Sequence, residues 1–125
     1  ADYLKCIGCK SYCVKALIEK IHFDKDKPEN MNIYISSIKG NFVMIYQNDQ
    51  WQIDNREYAI NELYDKNEFH LETWYEENKE KYPKMISSFE LYMKKRSDDE
   101  VLNDIKQEIL MMLYNKRNMI PIDTD

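Results

Sequence analysis

The hydrophobic period of the chain changes at Asp54, and this change constrains the fold more than any other feature of the sequence. Residues 32–53 contain short stretches in which polar and apolar side chains alternate, a pattern typical of strands. After Asp54, apolar residues recur every three or four positions, which is typical of amphipathic helices. This order predicts an α+β fold in which a small sheet precedes a set of helices.

One helix is predicted before the sheet. Four apolar residues there have the i, i+3, i+4, i+7 spacing of a helix face: Val14, Leu17, Ile18 and Ile21. Ser11 is the predicted N-cap. The polar residues 24–30, which include Pro28, predict an end near Phe23.

Three strands are predicted between residues 32 and 53, at 32–36, at 42–46 and from Trp51 onward. The turns at 39–41 and 47–50 are short, so the strands should form an antiparallel meander. Residues 42–46 are densely apolar, which predicts a central strand covered on both faces.

Three or four helices are predicted after the sheet, covering one of its faces. Asp54 and Glu57 have the spacing of a capping box that would open a short helix. A second helix, with Leu71 and Trp74 on its apolar face, should end at Pro83. The third spans 85–93, and a capping box at 97–100 opens the last one.

Length and composition exclude several classes of protein. The chain has 125 residues, 43% of them hydrophobic, which suits a single domain. Its longest apolar runs have four or five residues, against the ~20 of a membrane-spanning helix, so no membrane association is expected. Gly8 and Gly40 are the only glycines, which excludes the glycine-rich nucleotide-binding loops.

The net charge of −5 comes from an acidic excess in the second half of the chain, which disfavours a nucleic-acid interface. Two short basic runs are the exceptions: Lys94, Lys95 and Arg96, and Lys116 and Arg117. Each lies where a helix should end, and cations stabilise helix C-termini. Binding to phosphates is the alternative interpretation of these residues.

Cys6, Cys9, Cys13 and His22 are the residue types that bind zinc, and their number is right for a tetrahedral site. However, Cys13 and His22 begin and end one helix, ~13 Å apart, which is too far for a shared ion. We therefore expect three ordinary thiols, with no metal or cofactor. The odd number of cysteines and the lack of a signal-peptide pattern predict a reducing, intracellular location.

No complete catalytic set is visible, so the chain is expected not to be an enzyme. His22 and the later Pro28-Glu29-Asn30 are similar to a stretch of the HNH nucleases, but such sites need further metal ligands. His70, between Glu68 and Glu72, lacks a nucleophile nearby and is interpreted as a surface residue. A divergent HNH-like nuclease is the weakest functional alternative.

Ten tyrosines make the chain unusually aromatic. Tyr34, Tyr46 and Trp51 fall on the predicted sheet. Such residues can fill a core, form a protein interface or stack on nucleic-acid bases. A core position is favoured for these residues. Base stacking is the weakest alternative, because base-stacking surfaces normally carry interleaved Lys or Arg.

Several blocks of the sequence resemble a C-terminal domain of giant nucleocytoplasmic DNA viruses. The most specific block consists of residues 21–23 (Ile-His-Phe) and 28–33 (Pro-Glu-Asn-Met-Asn-Ile), and residues 4–6, 51, 59–63 and 113–117 fit the same pattern. The family consists of zinc-finger and coiled-coil proteins of unknown function. Lys27 stands where family members often have histidine, and Cys9 and Cys13 often lack counterparts there. The resemblance supplies no catalytic residue.

The resemblance implies that residues 1–125 are the C-terminal part of a longer viral protein, located in the cytoplasm of the infected cell or in a virus factory. A start at Ala1 instead of Met fits a fragment or a processed product. The expected function is a non-enzymatic module for protein–protein contact or self-association, with DNA association through an upstream finger. A nucleic-acid-binding domain is the alternative.

Overall fold

The computed structural model describes residues 2–121 and confirms the α+β fold. Five helices and a three-stranded antiparallel sheet follow one another as α1 (Tyr3–Ile7), α2 (Cys13–His22), β1 (Ile33–Tyr34), β2 (Phe42–Gln47), β3 (Gln50–Asn55), α3 (Arg56–Asn78), α4 (Pro83–Lys95) and α5 (Asp99–Asn115). Short 3-10 turns lie at Lys10–Tyr12, Pro28–Asn30 and Arg117–Met119. No helix within residues 2–121 is long and apolar enough to cross a bilayer.

The N-terminal region contains one helix more than the sequence predicts. Asp2 caps the short α1 by accepting a hydrogen bond from the Lys5 amide at 3.1 Å. Ser11 lies inside a 3-10 turn and is not the N-cap of α2, so that prediction is wrong. Tyr12 precedes the helix without a side-chain cap, because the 3-10 turn leads directly into α2.

The meander is confirmed, with β2 between β1 and β3. Asn48 and Asp49, at φ 54° and 63°, both lie in the left-handed region, so the β2–β3 hairpin has a two-residue turn of type I′. Strand β1 has only two residues, fewer than predicted. After it the Ile35 amide donates to the carbonyl of Leu113 in α5 instead of to β2.

The prediction that β2 is covered on both faces is wrong. Its pairing with β3 places Val43 opposite Asp54 and Met44 opposite Ile53, so the two faces alternate along the strand. Val43 is fully buried against the helices, whereas Phe42 on the other face is 55% exposed. Helices cover only the inner face, and the density of apolar residues in β2 does not distinguish one covered face from two.

The core lies between the inner face of the sheet and the helices. Strands β2 and β3 contact α3, β1 contacts α5, and α2 packs on both of these helices. Helix α5 contributes four buried residues to this core: Ile105, Ile109, Met112 and Leu113. All of these residues belong to one core with the N-terminal helices.

Helix α3 is one continuous helix of 23 residues where the sequence predicts two. Residues 56–78 contain neither Gly nor Pro, so nothing breaks the backbone. The buried Asn67 has its Nδ2 atom bonded to the Leu63 carbonyl at 2.8 Å, which lets a polar residue lie inside the helix contact. Asn55 caps α3 in place of Asp54, and Pro83 begins α4 as its first residue, a favoured position for proline.

Candidate functional site

The outer face of the sheet is apolar although no element of residues 2–121 is packed over it. The strand register places six apolar side chains there, and we call this set the outer sheet face: Tyr34, Phe42, Met44, Tyr46, Trp51 and Ile53. Asn55, paired with Phe42, lies on the same side. In an antiparallel sheet with one solvated face, apolar side chains normally point to the core and polar side chains to solvent. In this sheet the side chains of the outer sheet face are apolar as well.

Three members of the outer sheet face are among the most exposed large apolar residues of the described chain. Ile53 is 63% exposed, Phe42 55% and Tyr46 43%. The largest exposed apolar patch of a monomeric protein typically covers about 300–600 Å² and often has a function, whereas single exposed apolar residues need no explanation. The outer sheet face therefore has the properties of a contact surface.

The three aromatic residues singled out in the sequence lie together on this face. The Trp51 ring centroid is 5.1 Å from that of Tyr34 and 5.3 Å from that of Tyr46, both with edge-to-face geometry. The prediction favoured core positions for them. Tyr34 and Trp51 are partly buried and pack against the core, whereas Tyr46 is 43% exposed. Phe42, Met44 and Ile53 were not predicted as site residues, although strand alternation carried to residue 53 would have found them.

Most of the predicted basic site residues are bound within the chain. Arg96 pairs with Glu68 and, at 3.1 Å, with Glu72. Lys116 lies 3.2 Å from a Glu19 carboxylate oxygen, and the Arg117 guanidinium lies 3.9 Å from the Tyr114 ring centroid. Lys94 and Lys95 are exposed in the last turn of α4, where they stabilise its C-terminal dipole.

The three cysteines differ in their exposure. Cys6 and Cys13 are buried, and Cys9 is exposed with its thiol 3.6 Å from the Lys5 carbonyl oxygen. Burial raises the pKa of Cys6 to about 11 and that of Cys13 to about 12, so both stay protonated thiols at neutral pH. Among residues 2–121, no three Cys, His, Asp or Glu side chains are arranged to hold a metal ion.

His22 holds the end of α2 against the segment that enters the sheet. Its Nδ1 lies 2.9 Å from the Asn30 carbonyl oxygen and 3.0 Å from Asn32 Oδ1. A carbonyl oxygen only accepts, so Nδ1 carries the proton. Burial lowers the pKa of His22 and outweighs these two hydrogen bonds, which raise it. The imidazole is therefore neutral at pH 7.

His22 and Asn30, two residues of the HNH-like stretch, contact one another directly. Asn30 contributes its backbone carbonyl to His22. His22 lines a cavity of about 340 Å³ between the inner sheet face and α3, together with Asp54, Glu62 and Lys66. The structure brings no metal-binding set together there within the described part of the chain.

Glu68 is the centre of a polar cluster that the sequence does not reveal. Its carboxylate accepts hydrogen bonds from the hydroxyls of Tyr64, at 2.8 Å, and of Tyr92, and it pairs with Arg96. Burial opposes its ionisation, but these bonds outweigh burial and lower the pKa of Glu68. His70, two residues further along α3, is exposed, in agreement with its interpretation as a surface residue.

A polar cavity of about 540 Å³ lies where α3 begins, next to α5 and Asn41. Arg56 forms part of its wall and donates to the carbonyl oxygens of Ser37, at 2.6 Å, and Ile38, at 3.0 Å. Its guanidinium thus fixes the turn between β1 and β2. Among the described residues, none forms a hydrogen bond with the buried Nε of Arg56.

Comparisons of the chain with protein-family models, with curated proteins and with solved structures find no match. In the geometry of the described residues, the outer sheet face is the feature that the fold leaves unexplained.

Proposed function

We propose that this protein is a non-enzymatic contact module whose outer sheet face binds a segment of a different protein. The observation that carries the proposal is an apolar sheet face with no covering element among the described residues. The polar clusters around Glu68 and His22 join elements of the fold to one another.

The area of the face favours a segment of another protein over a second copy of this chain. With strands about 4.8 Å apart and about 3.3 Å per residue, the face covers about 300 Å². Two copies meeting face to face would bury about 600 Å², half of the roughly 1,200 Å² of a stable complex. A segment that continues past the edge of the sheet can bury more.

The net charge also favours a segment of another protein over a second copy of this chain. Each copy carries a net charge of −5, so two copies repel one another at low ionic strength. The outer sheet face itself consists of uncharged residues. A basic partner segment with apolar side chains would be attracted by the whole molecule and would bury the face.

Site-specific photo-crosslinking tests this proposal. Phe42 is replaced by p-benzoylphenylalanine, and the matched control carries the same group at Phe69, which is 65% exposed on α3. A partner crosslinked only at position 42 is then purified and its binding measured by calorimetry. Ile53→Lys should weaken that binding by at least about tenfold, while Phe69→Lys should leave it unchanged.

Two results would contradict the proposal. One is a stable dimer in sedimentation velocity that Ile53→Lys dissociates, because a second copy would then cover the face. The other is equal crosslinking at positions 42 and 69, because the outer sheet face would then have no special role.

The resemblance to the giant-virus family supports placing this module in a longer, DNA-associated viral protein of the infected cell. A direct role in nucleic-acid binding is the second candidate, favoured by the exposed Tyr46 ring beside Trp51, since such rings can stack bases. Anisotropy of labelled single-stranded and duplex DNA tests it. Binding that falls steeply with salt and is lost in Tyr46→Ala would support this candidate.

A further inference from the structure

A cavity of about 420 Å³ opens beside the outer sheet face. Trp51 and Tyr46 form its aromatic side, and Pro28 lies across from the strands on the 3-10 turn. Glu29 and Asp49 also line this space. We call it the aromatic–acidic cavity.

The two carboxylates reach the cavity from different elements. Glu29 lies in the 3-10 turn before β1, and Asp49 occupies the second position of the type I′ turn between β2 and β3. Both are exposed, and neither forms an ion pair with a residue of the described range 2–121. Two unpaired negative charges thus border one aromatic wall.

Other tyrosines of the protein already have cations of the same chain over their rings. Arg117 lies 3.9 Å from the Tyr114 centroid, and Lys106 lies 5.6 Å from that of Tyr64. Within residues 2–121, no Lys or Arg lies over the ring of Trp51 or Tyr46. The aromatic–acidic cavity therefore offers aromatic side chains and carboxylates to a cation that the described chain does not supply.

We propose that the aromatic–acidic cavity binds an arginine side chain of the partner segment, an inference that rests on the proposed function. A guanidinium is planar, stacks on aromatic rings and donates to carboxylates in a fixed fork. A lysine ammonium is more strongly hydrated and gains less from such a site. The arginine would attach the end of a segment whose apolar side chains cover the outer sheet face.

Titration with N-acetyl-arginine amide, followed by two-dimensional NMR of the amide and indole N–H groups, tests the inference without the partner. The Trp51 indole and the Asp49 amide should shift, while the Trp74 indole serves as the internal control. N-acetyl-citrulline amide, the uncharged analogue, should cause no shift, and N-acetyl-lysine amide should bind more weakly.

The double variant Glu29→Gln/Asp49→Asn should weaken binding of N-acetyl-arginine amide by about fivefold, the effect of losing two exposed ion pairs. Asparagine tolerates the left-handed conformation of residue 49, so the turn is kept. The matched control, Asp65→Asn/Glu77→Gln, makes the same charge change at two exposed positions of α3. Its affinity should equal that of the wild type.

Equal binding of the citrulline and arginine compounds, or an unchanged affinity in the Glu29/Asp49 variant, would overturn the inference. Its failure can be told apart from failure of the proposed function. If binding of a purified partner needs Ile53 but not Glu29 or Asp49, the proposed function is supported and the arginine inference is wrong. Arginine binding in the cavity without crosslinking at Phe42 would be the reverse result.

Discussion

Glu68 shows how a single carboxylate joins two helices. It lies on α3, whereas Tyr92 belongs to α4 and Arg96 directly follows the last residue of α4. The hydrogen bond from Tyr92 and the ion pair with Arg96 therefore cross the helix contact. Burial favours the neutral acid, and the three partners reverse this preference, which lowers the folded-state pKa. Such a group stabilises the fold above its unfolded-state pKa, and the stabilisation is lost as the pH falls through the folded-state value.

Arg96→Leu should lower the free energy of unfolding by about 1–2 kcal/mol at pH 7, because Glu68 keeps its charge and loses its cation in a half-buried place. Urea denaturation measures this change. Lys79→Met is the control, since the Lys79–Glu76 pair is exposed and its loss should cost less than about 0.5 kcal/mol. Equal effects of the two substitutions would show that the cluster does not stabilise the fold.

His22 predicts a pH dependence between pH 7 and pH 5. Burial lowers its folded-state pKa below the ordinary 6.5, so the unfolded chain takes up the proton first as the pH falls. The free energy of unfolding of the wild type should therefore decrease over this range. His22→Gln should decrease less, and the exposed His70→Gln should follow the wild type. Urea titrations at several pH values provide the measurement, and parallel curves for wild type and His22→Gln would contradict it.

At the scale of the helices, the N-cap of α5 lies one residue later than the sequence pattern predicts. Asp98 accepts hydrogen bonds from the amides of Glu100, at 2.9 Å, and Val101, at 3.4 Å. Asp98→Ala should therefore cost about 1 kcal/mol of unfolding free energy, and Ser97→Ala less than about 0.5 kcal/mol. Thermal and urea denaturation of the two variants measure the difference, and a larger loss from Ser97→Ala would move the cap back to Ser97.

The sequence predicts the elements well where the apolar period is strong. Helices α4 and α5, the meander and its two turns are all found where periodicity and turn residues place them. The fusion of two predicted helices into α3 was not predictable from the period, because the buried polar Asn67 interrupts the apolar pattern. Its hydrogen bond to the Leu63 carbonyl is visible only in the structure.

The candidate site was predicted in part. Tyr34, Tyr46 and Trp51 were chosen for their type, and strand pairing brings them into contact. Which face of the sheet the helices cover depends on tertiary packing. The acidic side of the cavity consists of Asp49, in the β2–β3 turn, and Glu29, in a 3-10 turn that is distant in the sequence. No local sequence pattern predicts that these two turns lie close together.

At the scale of the whole molecule, the two faces of the sheet should respond differently to the same chemical change. Val43 on the inner face is 0% exposed, and Ile53 on the outer face is 63% exposed. Val43→Thr places a hydroxyl in the core and should cost about 1–3 kcal/mol, while Ile53→Thr should cost less than about 0.5 kcal/mol. Urea denaturation checks both, and a cost above 1 kcal/mol for Ile53→Thr would mean that the outer face is covered in solution.

Because the three cysteines differ in burial, their reaction with a thiol reagent can be used to detect opening of the core. Cys9 is exposed, whereas Cys6 and Cys13 belong to the core that joins α1 and α2 to the rest of the molecule. Under native conditions a pulse of iodoacetamide should therefore add one label, and further labels only as molecules open. Intact mass spectrometry would count the labels, and rapid addition of three would contradict the buried positions. Without any engineered probe, the mass distribution then gives the opening rate of the N-terminal helices, with and without a bound partner.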